Sequence, residues 1–144
     1  MKELAIDARI EKLNEVLDFV NEELEAENCP LKEQMQLNIA VEEIFVNIAH
    51  YAYPDTTGKA VIRMDIQENP AVVEITFIDW GTAYNPLEKT DPDIALSAED
   101  RKIGGLGIYM VKKSMDNVSY EYKDGQNIFT IQKIFKVGGM VYGK

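Results

Sequence analysis

Glu43 and Asn47 stand four residues apart in the stretch NIAVEEIFVNIAHYAY, a spacing that stacks both side chains on one face of a helix. The apolar stripe of that helix, Leu37, Val41, Ile44 and Ile48, passes one position on. The Glu/Asn pair therefore lies about 100° around the axis, at the edge of the buried face where a cleft would meet the core. Ala40 and His50 continue the same edge. Carboxylates, amides, backbone N–H groups and a divalent cation such as Mg²⁺ are what a chain with one histidine and one cysteine has for chemistry. A plain solvated polar face is the other reading of the pair.

Asp79 is the second candidate. It shares parity with Val73, Ile75 and Phe77 in AVVEITFID, so in a strand its carboxylate points to the apolar side. A buried carboxylate is costly unless it is hydrogen-bonded. Two uses answer that cost. Asp79 can accept from an exocyclic amine such as that of adenine, with Gly81 letting a planar ligand approach the backbone; or it can begin a turn and bind loop N–H groups.

The third candidate is RKIGGLGIYMVKKSMD, residues 101–116, in which Gly104, Gly105 and Gly107 precede an apolar, helix-like pattern. Exposed N–H groups at a helix N-terminus favour an anion, and Arg101, Lys102 and Lys112 add positive charge nearby. The run is not a Walker loop, because its lysines lie inside the helix with no glycine beside them. Nor is it a dinucleotide fingerprint, which needs a third glycine three residues after the second and a strand close before the first. A hinge entering a helix remains the simple alternative.

These candidates need a scaffold. KELAI at 2–6 reads as a short strand, and Ile10, Leu13, Leu17, Val20 and Leu24 recur at helical steps from Ala8 until Pro30. A second helix is expected from about Leu31 to Tyr53, closed by Pro54. KAVIRMDIQ and AVVEITFID alternate as strands around a tight ENP turn and predict an antiparallel hairpin. Residues 81–103 carry no sustained period, and a long irregular segment in a compact domain is usually functional. NVSYEYK and NIFTIQKIFK then flank an Asp-Gly turn, the sign of a second hairpin. The order predicts an α/β (α+β) two-layer sandwich, with a mixed, mostly antiparallel sheet and helices packed on one face. Residues 1–136 read as a single domain, and 137–144 as a C-terminal tail without a pattern.

The composition narrows the function. The 144 residues are 46% hydrophobic and 28% charged, enough for a core without staples. A net charge of −10 argues against nucleic acid. One histidine and one cysteine supply neither a zinc site nor a Cys/His nucleophile, and no intramolecular disulfide. No apolar run reaches membrane-spanning length and the N-terminus has no signal-like h-region, so the expectation is a cytoplasmic protein, off the membrane.

In their order, these pieces resemble the GHKL ATPase superfamily, which includes gyrase, the large heat-shock chaperone, histidine kinases and the mismatch-repair ATPase. Glu43 and Asn47 match its N-box, DWG (Asp79–Gly81) its Asp-x-Gly box, and GGLG at 104–107 its glycine-rich box. Each motif alone is weak, and the ordered triple is specific. Within the superfamily the chain looks like bacterial anti-sigma factors that act as serine protein kinases: NIAVEEIFVNIAHYAYP, DWGTAYNP, GGLGIYMVKKSMDNVSY and DGQNIFTIQK all fit. The departures are Tyr51-Ala52-Tyr53 where His-Ala-Tyr is common, and Tyr84-Asn85 where Phe-Asp is commoner.

The resemblance implies a Bergerat-type ATP-binding fold using ATP/ADP and Mg²⁺. Asn47 would ligate the metal, and Glu43 would act as catalytic base or positioning group. Asp79 would read adenine with Gly81 making room, while Gly104, Gly105 and Gly107, with Arg101 and Lys102, would meet the phosphates. Residues 87–103 would form the lid, and Thr130 would stand near the base. It further implies a STAS-domain anti-anti-sigma protein as phosphoacceptor on serine, a sigma factor as second partner, and a homodimer. A nucleotide-gated partner-switching module without phosphotransfer, and a simple ATPase, are the alternatives.

Overall fold

A computed structural model describes residues 1–88 and 105–136, with the side chains of Gly105 and Leu106 left aside. Gly104, Arg101, Lys102, most of the expected lid and the 137–144 tail lie outside the described residues.

Among the described residues, five strands and three α-helices form two layers. β1 (Lys2–Asp7) is followed by α1 (Leu13–Ala26) and α2 (Leu31–Tyr51), then β2 (Lys59–Gln67) and β3 (Ala71–Asp79), α3 (Gly105–Ser114), β4 (Asn117–Lys123) and β5 (Gln126–Phe135). The sheet order is β1-β2-β3-β5-β4, and every pairing is antiparallel. The sheet expected to be mostly antiparallel is so throughout, because the two hairpins supply four of its strands and β1 closes the edge against β2.

α1 starts later than its apolar pattern suggests. Residues 10–12 form a 3₁₀ turn, Ile10 stays exposed, and the buried stripe is Val16, Val20 and Leu24. The helix ends where Asn28 takes a left-handed φ of 59°. There the Cys29 N–H reaches the Leu24 carbonyl at 2.9 Å and the Asn28 N–H reaches Glu25 at 3.1 Å, the paired bonds that satisfy orphan carbonyls at a helix end. Pro30 then opens α2 with an extended backbone. Asn21 and Asn38 exchange amide hydrogen bonds at 2.8 Å each way, and Gln34 donates to Asn21, so polar side chains fix how α1 lies on α2.

The core lies between the helices and one sheet face. Leu37, Val41, Ile44 and Ile48 of α2 are buried as expected, against Ile62, Met64, Val73, Ile75, Phe77, Phe129 and Ile131 of the sheet. Register carries the alternation across strands: Phe77 pairs with Phe129, Ile75 with Ile131, and Asp79 with Asn127. β4 and β5 are joined by Asp124 and Gly125 with φ of 53° and 78°, the left-handed pair that a two-residue hairpin requires. The other sheet face carries polar rows: Arg63 pairs with Glu3 at 2.8 Å, and Gln132 donates to Glu74 at 2.7 Å.

Candidate nucleotide site at the end of the sheet

The last residues of β3 lie against the C-terminal half of α2, and the candidate side chains converge there. Asn47 and Asp79 line one cleft with Ile48, Phe77, Asn127 and Phe129. Its enclosed room is about 30 Å³, well below the ~300–1,000 Å³ of a small-molecule pocket.

Asp79 is 4% exposed. Its Oδ1 accepts from the Gly81 N–H at 2.9 Å and from Asn127 Nδ2 at 2.9 Å. Oδ2 has no hydrogen-bond partner among the described residues and is the acceptor left over on the cleft wall. Burial raises the Asp79 pKa above its ordinary 3.8, and the two hydrogen bonds oppose that shift. Of the two uses foreseen for this residue, the turn bond is the one made here, through Oδ1.

Glu43 and Asn47 are joined. Asn47 is buried and donates from Nδ2 to Glu43 Oε2 at 2.9 Å, and among the described residues its Oδ1 has no hydrogen-bond partner. Gly107, in the first turn of α3, lies directly against the Glu43 carboxylate. A Cβ there would stand 2.7 Å from Oε2 and nearer still to Oε1 and Cδ. Gly105 is the first residue of α3. Among the described residues no group of three or more His, Cys, Asp and Glu side chains could hold a metal. The donor set here instead suits a hard cation that takes one protein amide oxygen and draws its other ligands from phosphates and water.

The expectation for Thr130 is corrected, and Gly81 has a packing role besides the one expected of it. Gly81 is needed for protein packing: a Cβ would stand 2.6 Å from Ala52 Cβ and nearer still to the Ala52 carbonyl, at the end of α2. The Thr82 N–H bonds that same carbonyl at 2.8 Å. Thr130 is outside the site. It pairs with Thr76, whose hydroxyl is 3.4 Å from its own, and both alternate with the inward Phe129 and Phe77, so strand parity puts Thr130 on the far sheet face. His50 is exposed, and Lys112 lines a separate hollow with Leu87, Met115 and Asn117.

Asn127 is the residue that the motifs did not reveal. It is 6% exposed and faces Asp79 across β3–β5. The signal was present: Asn127 shares parity with Phe129 and Ile131, the same clue that marked Asp79. Tyr53 is the other unforeseen member. Its hydroxyl donates to the Lys59 carbonyl at 2.6 Å and accepts from the Trp80 N–H at 2.8 Å, tying the Asp-Trp-Gly turn to the start of β2.

This arrangement was compared with known proteins. The family described as histidine kinase-like ATPase domain matches residues 6–133. The chain belongs to that family. Relatives of this histidine kinase-like ATPase include a serine/threonine-protein kinase, BtrW, of Bordetella bronchiseptica, 30% identical over 96 residues covering 66% of each chain. A serine-protein kinase, RsbW, of Bacillus thuringiensis is 28% identical over 102 residues, covering 68% of this chain and 62% of its own. The chain thus spans somewhat under two thirds of the length of these curated relatives. Among solved structures, the mycobacterial sensor histidine kinase MprB matches with a TM-score of 0.48 and 16% identity, over 94% of this chain and 99% of that one. No helix among the described residues is long and apolar enough to cross a membrane.

Proposed function

We propose that the chain binds MgATP in this cleft and transfers the γ-phosphoryl group to a serine of a STAS-fold anti-anti-sigma protein, and that it also binds a sigma factor. The carrying observation is the buried Asp79, with one oxygen committed to the fold and the other open on a cleft that also holds Asn47. The serine-kinase names of relatives at 28–30% identity support the reaction class.

In this reading Asp79 Oδ2 accepts from the exocyclic amine of adenine. The N-terminus of α3 faces the phosphates with its free N–H groups. The Asn47 amide, held by Glu43, offers Oδ1 to the cation. Mg²⁺ when bound supplies charge neutralisation of the phosphate oxygens. Glu43 has a second oxygen with which to take the proton of an incoming serine hydroxyl. Gly104, Arg101 and Lys102 add to phosphate binding, residues 87–103 act as the lid, and two copies of the chain associate as a dimer. The cell compartment is the cytoplasm.

The test is transfer of label from γ-labelled ATP to candidate STAS proteins, giving phosphoserine that Glu43→Ala abolishes. Undiminished transfer in that variant removes Glu43 from the base role. One observation favours a second reading. Glu43 Oε2 is already taken by Asn47, which fits a module whose nucleotide gates partner exchange without phosphotransfer. That module would show nucleotide-dependent partner binding and no labelled acceptor, whereas a simple ATPase would release phosphate steadily with no partner present.

A further inference from the structure

Asn127 has every hydrogen-bonding position of its side chain engaged, and the engagement has a direction. Its Oδ1 accepts from the Tyr120 hydroxyl, in a short bond, and from the Tyr84 N–H at 3.2 Å. Its Nδ2 donates to Asp79 Oδ1 at 2.9 Å and to the Thr82 carbonyl at 3.0 Å. Turning the amide over would set Nδ2 against the Tyr84 N–H and Oδ1 against a carboxylate and a carbonyl, so these partners agree on one orientation, in which the Tyr120 hydroxyl donates to Oδ1. The Tyr120 hydroxyl also accepts from the Tyr84 N–H at 3.3 Å, which directs its own proton to Asn127. Burial raises the Tyr120 pKa, in keeping with a hydroxyl that stays a donor.

We propose that Tyr120 and Asn127 form a positioning pair that fixes the orientation of the Asp79 carboxylate, and so make the cleft select a base bearing an exocyclic amine. The proposal rests on the nucleotide reading above. Because Asn127 and the Gly81 N–H both donate to Oδ1, the carboxylate cannot rotate to share its two oxygens equally, and Oδ2 of the ionised group is held facing the cleft as an acceptor. A 6-amino group donates to that oxygen. A 6-oxo group would set an oxygen against it, and a purine with hydrogen at that position would leave it unpaired. Selection for the amine therefore depends on groups that need not touch the base.

The experiment measures equilibrium binding of ADP, inosine diphosphate and purine riboside diphosphate to the full chain and to Tyr120→Phe and Asn127→Asp. Wild type is expected to prefer ADP. Tyr120→Phe removes one hydroxyl from a half-buried ring and keeps its packing, so it should fold. It should weaken ADP by about threefold to tenfold while changing purine riboside diphosphate by less than about twofold, so the ratio between the two falls. Asn127→Asp sets a second carboxylate beside Asp79 and should abolish the preference altogether. Equal weakening of both nucleotides in Tyr120→Phe would reveal a merely structural role and overturn the proposal, as would an unchanged ratio. If wild type binds no nucleotide, or binds without preferring the amine, the nucleotide reading of Asp79 fails first and this proposal falls with it. A wild type that prefers ADP beside an indifferent Tyr120→Phe refutes only the positioning pair.

Discussion

Gly107→Ala should have opposite effects on stability depending on what stands at position 43. In the wild-type background the new Cβ overlaps the Glu43 carboxylate. The obstructing atoms are the far end of a flexible side chain, so the protein folds and Glu43 swings aside, losing its 2.9 Å bond with Asn47. A half-buried hydrogen bond to a charged group contributes about 1.5–3 kcal/mol. Replacing a helical glycine by alanine returns up to about 1 kcal/mol. The net is a destabilisation of about 1–2 kcal/mol, or roughly 3–8 °C in Tm for a chain of this size. With Glu43→Ala already made, the overlap and the hydrogen bond are both gone and only the helix gain remains. Gly107→Ala should then raise Tm by about 2–4 °C. Thermal unfolding of the wild type, the two single variants and the double variant closes the cycle, with an expected coupling of about 1.5–3 kcal/mol. Should Gly107→Ala shift Tm by the same amount and sign in both backgrounds, the glycine is not there to make room for Glu43, and the account of α3 meeting α2 is wrong.

Other substitutions probe the base end. Asp79→Asn should keep the bonds to Gly81 and Asn127 through its oxygen but present N–H to the cleft, weakening ADP by at least about 100-fold in direct titration, with no loss of Tm at neutral pH. The pH dependence has two opposite signs. The raised pKa of Asp79 means that the folded state holds its proton more tightly than the unfolded chain. This group's contribution to stability therefore falls as pH rises from 3.8 through the folded pKa and is constant above it. Adenine binding needs the ionised form, so ADP affinity should drop as pH falls through that same raised pKa. In Asp79→Asn this pH dependence should vanish from both titrations. Gly81→Ala meets backbone that cannot yield and should cost about 1–3 kcal/mol by urea unfolding, with loss of the Thr82 bond to Ala52. Thr130→Val should change ADP affinity by less than about twofold and stability by about 1 kcal/mol at most, since only a long hydroxyl contact is removed.

Most of the architecture was legible because hydrophobic period and turn chemistry agree along the chain. The buried stripe of α2 and the Asp124-Gly125 hairpin both fell where those signals put them. α1 began late because Ile10, although in phase, precedes the helix in a 3₁₀ turn and meets no core. The same parity rule that marked Asp79 also marks Asn127 as inward and Thr130 as outward, yet motif likeness overrode it for Thr130. What could not be read was which partner each glycine serves. A sequence shows that a Cβ is missing, but the atoms that would have met it come from other elements: the Ala52 carbonyl for Gly81 and the Glu43 carboxylate for Gly107.

Those two contacts, with the Asn47 amide between them, all belong to α2. From Glu43 to Ala52 is nine residues, or about 13–14 Å of helix axis at 1.5 Å per residue. Along that length α2 meets α3 at Glu43, lines the cleft at Asn47, and seats the Asp-Trp-Gly turn through Ala52 at its end. The separation between the phosphate end and the base end of the proposed site is therefore set by a rigid hydrogen-bonded rod whose inner stripe is fully packed. Loops do not set that ruler. A proline in the middle of α2 would shift one end relative to the other, and a small change in spacing can undo alignment for transfer even when every site residue remains. Position along this helix, more than the identity of any single motif residue, is what would let three weak sequence signals act as the one site proposed.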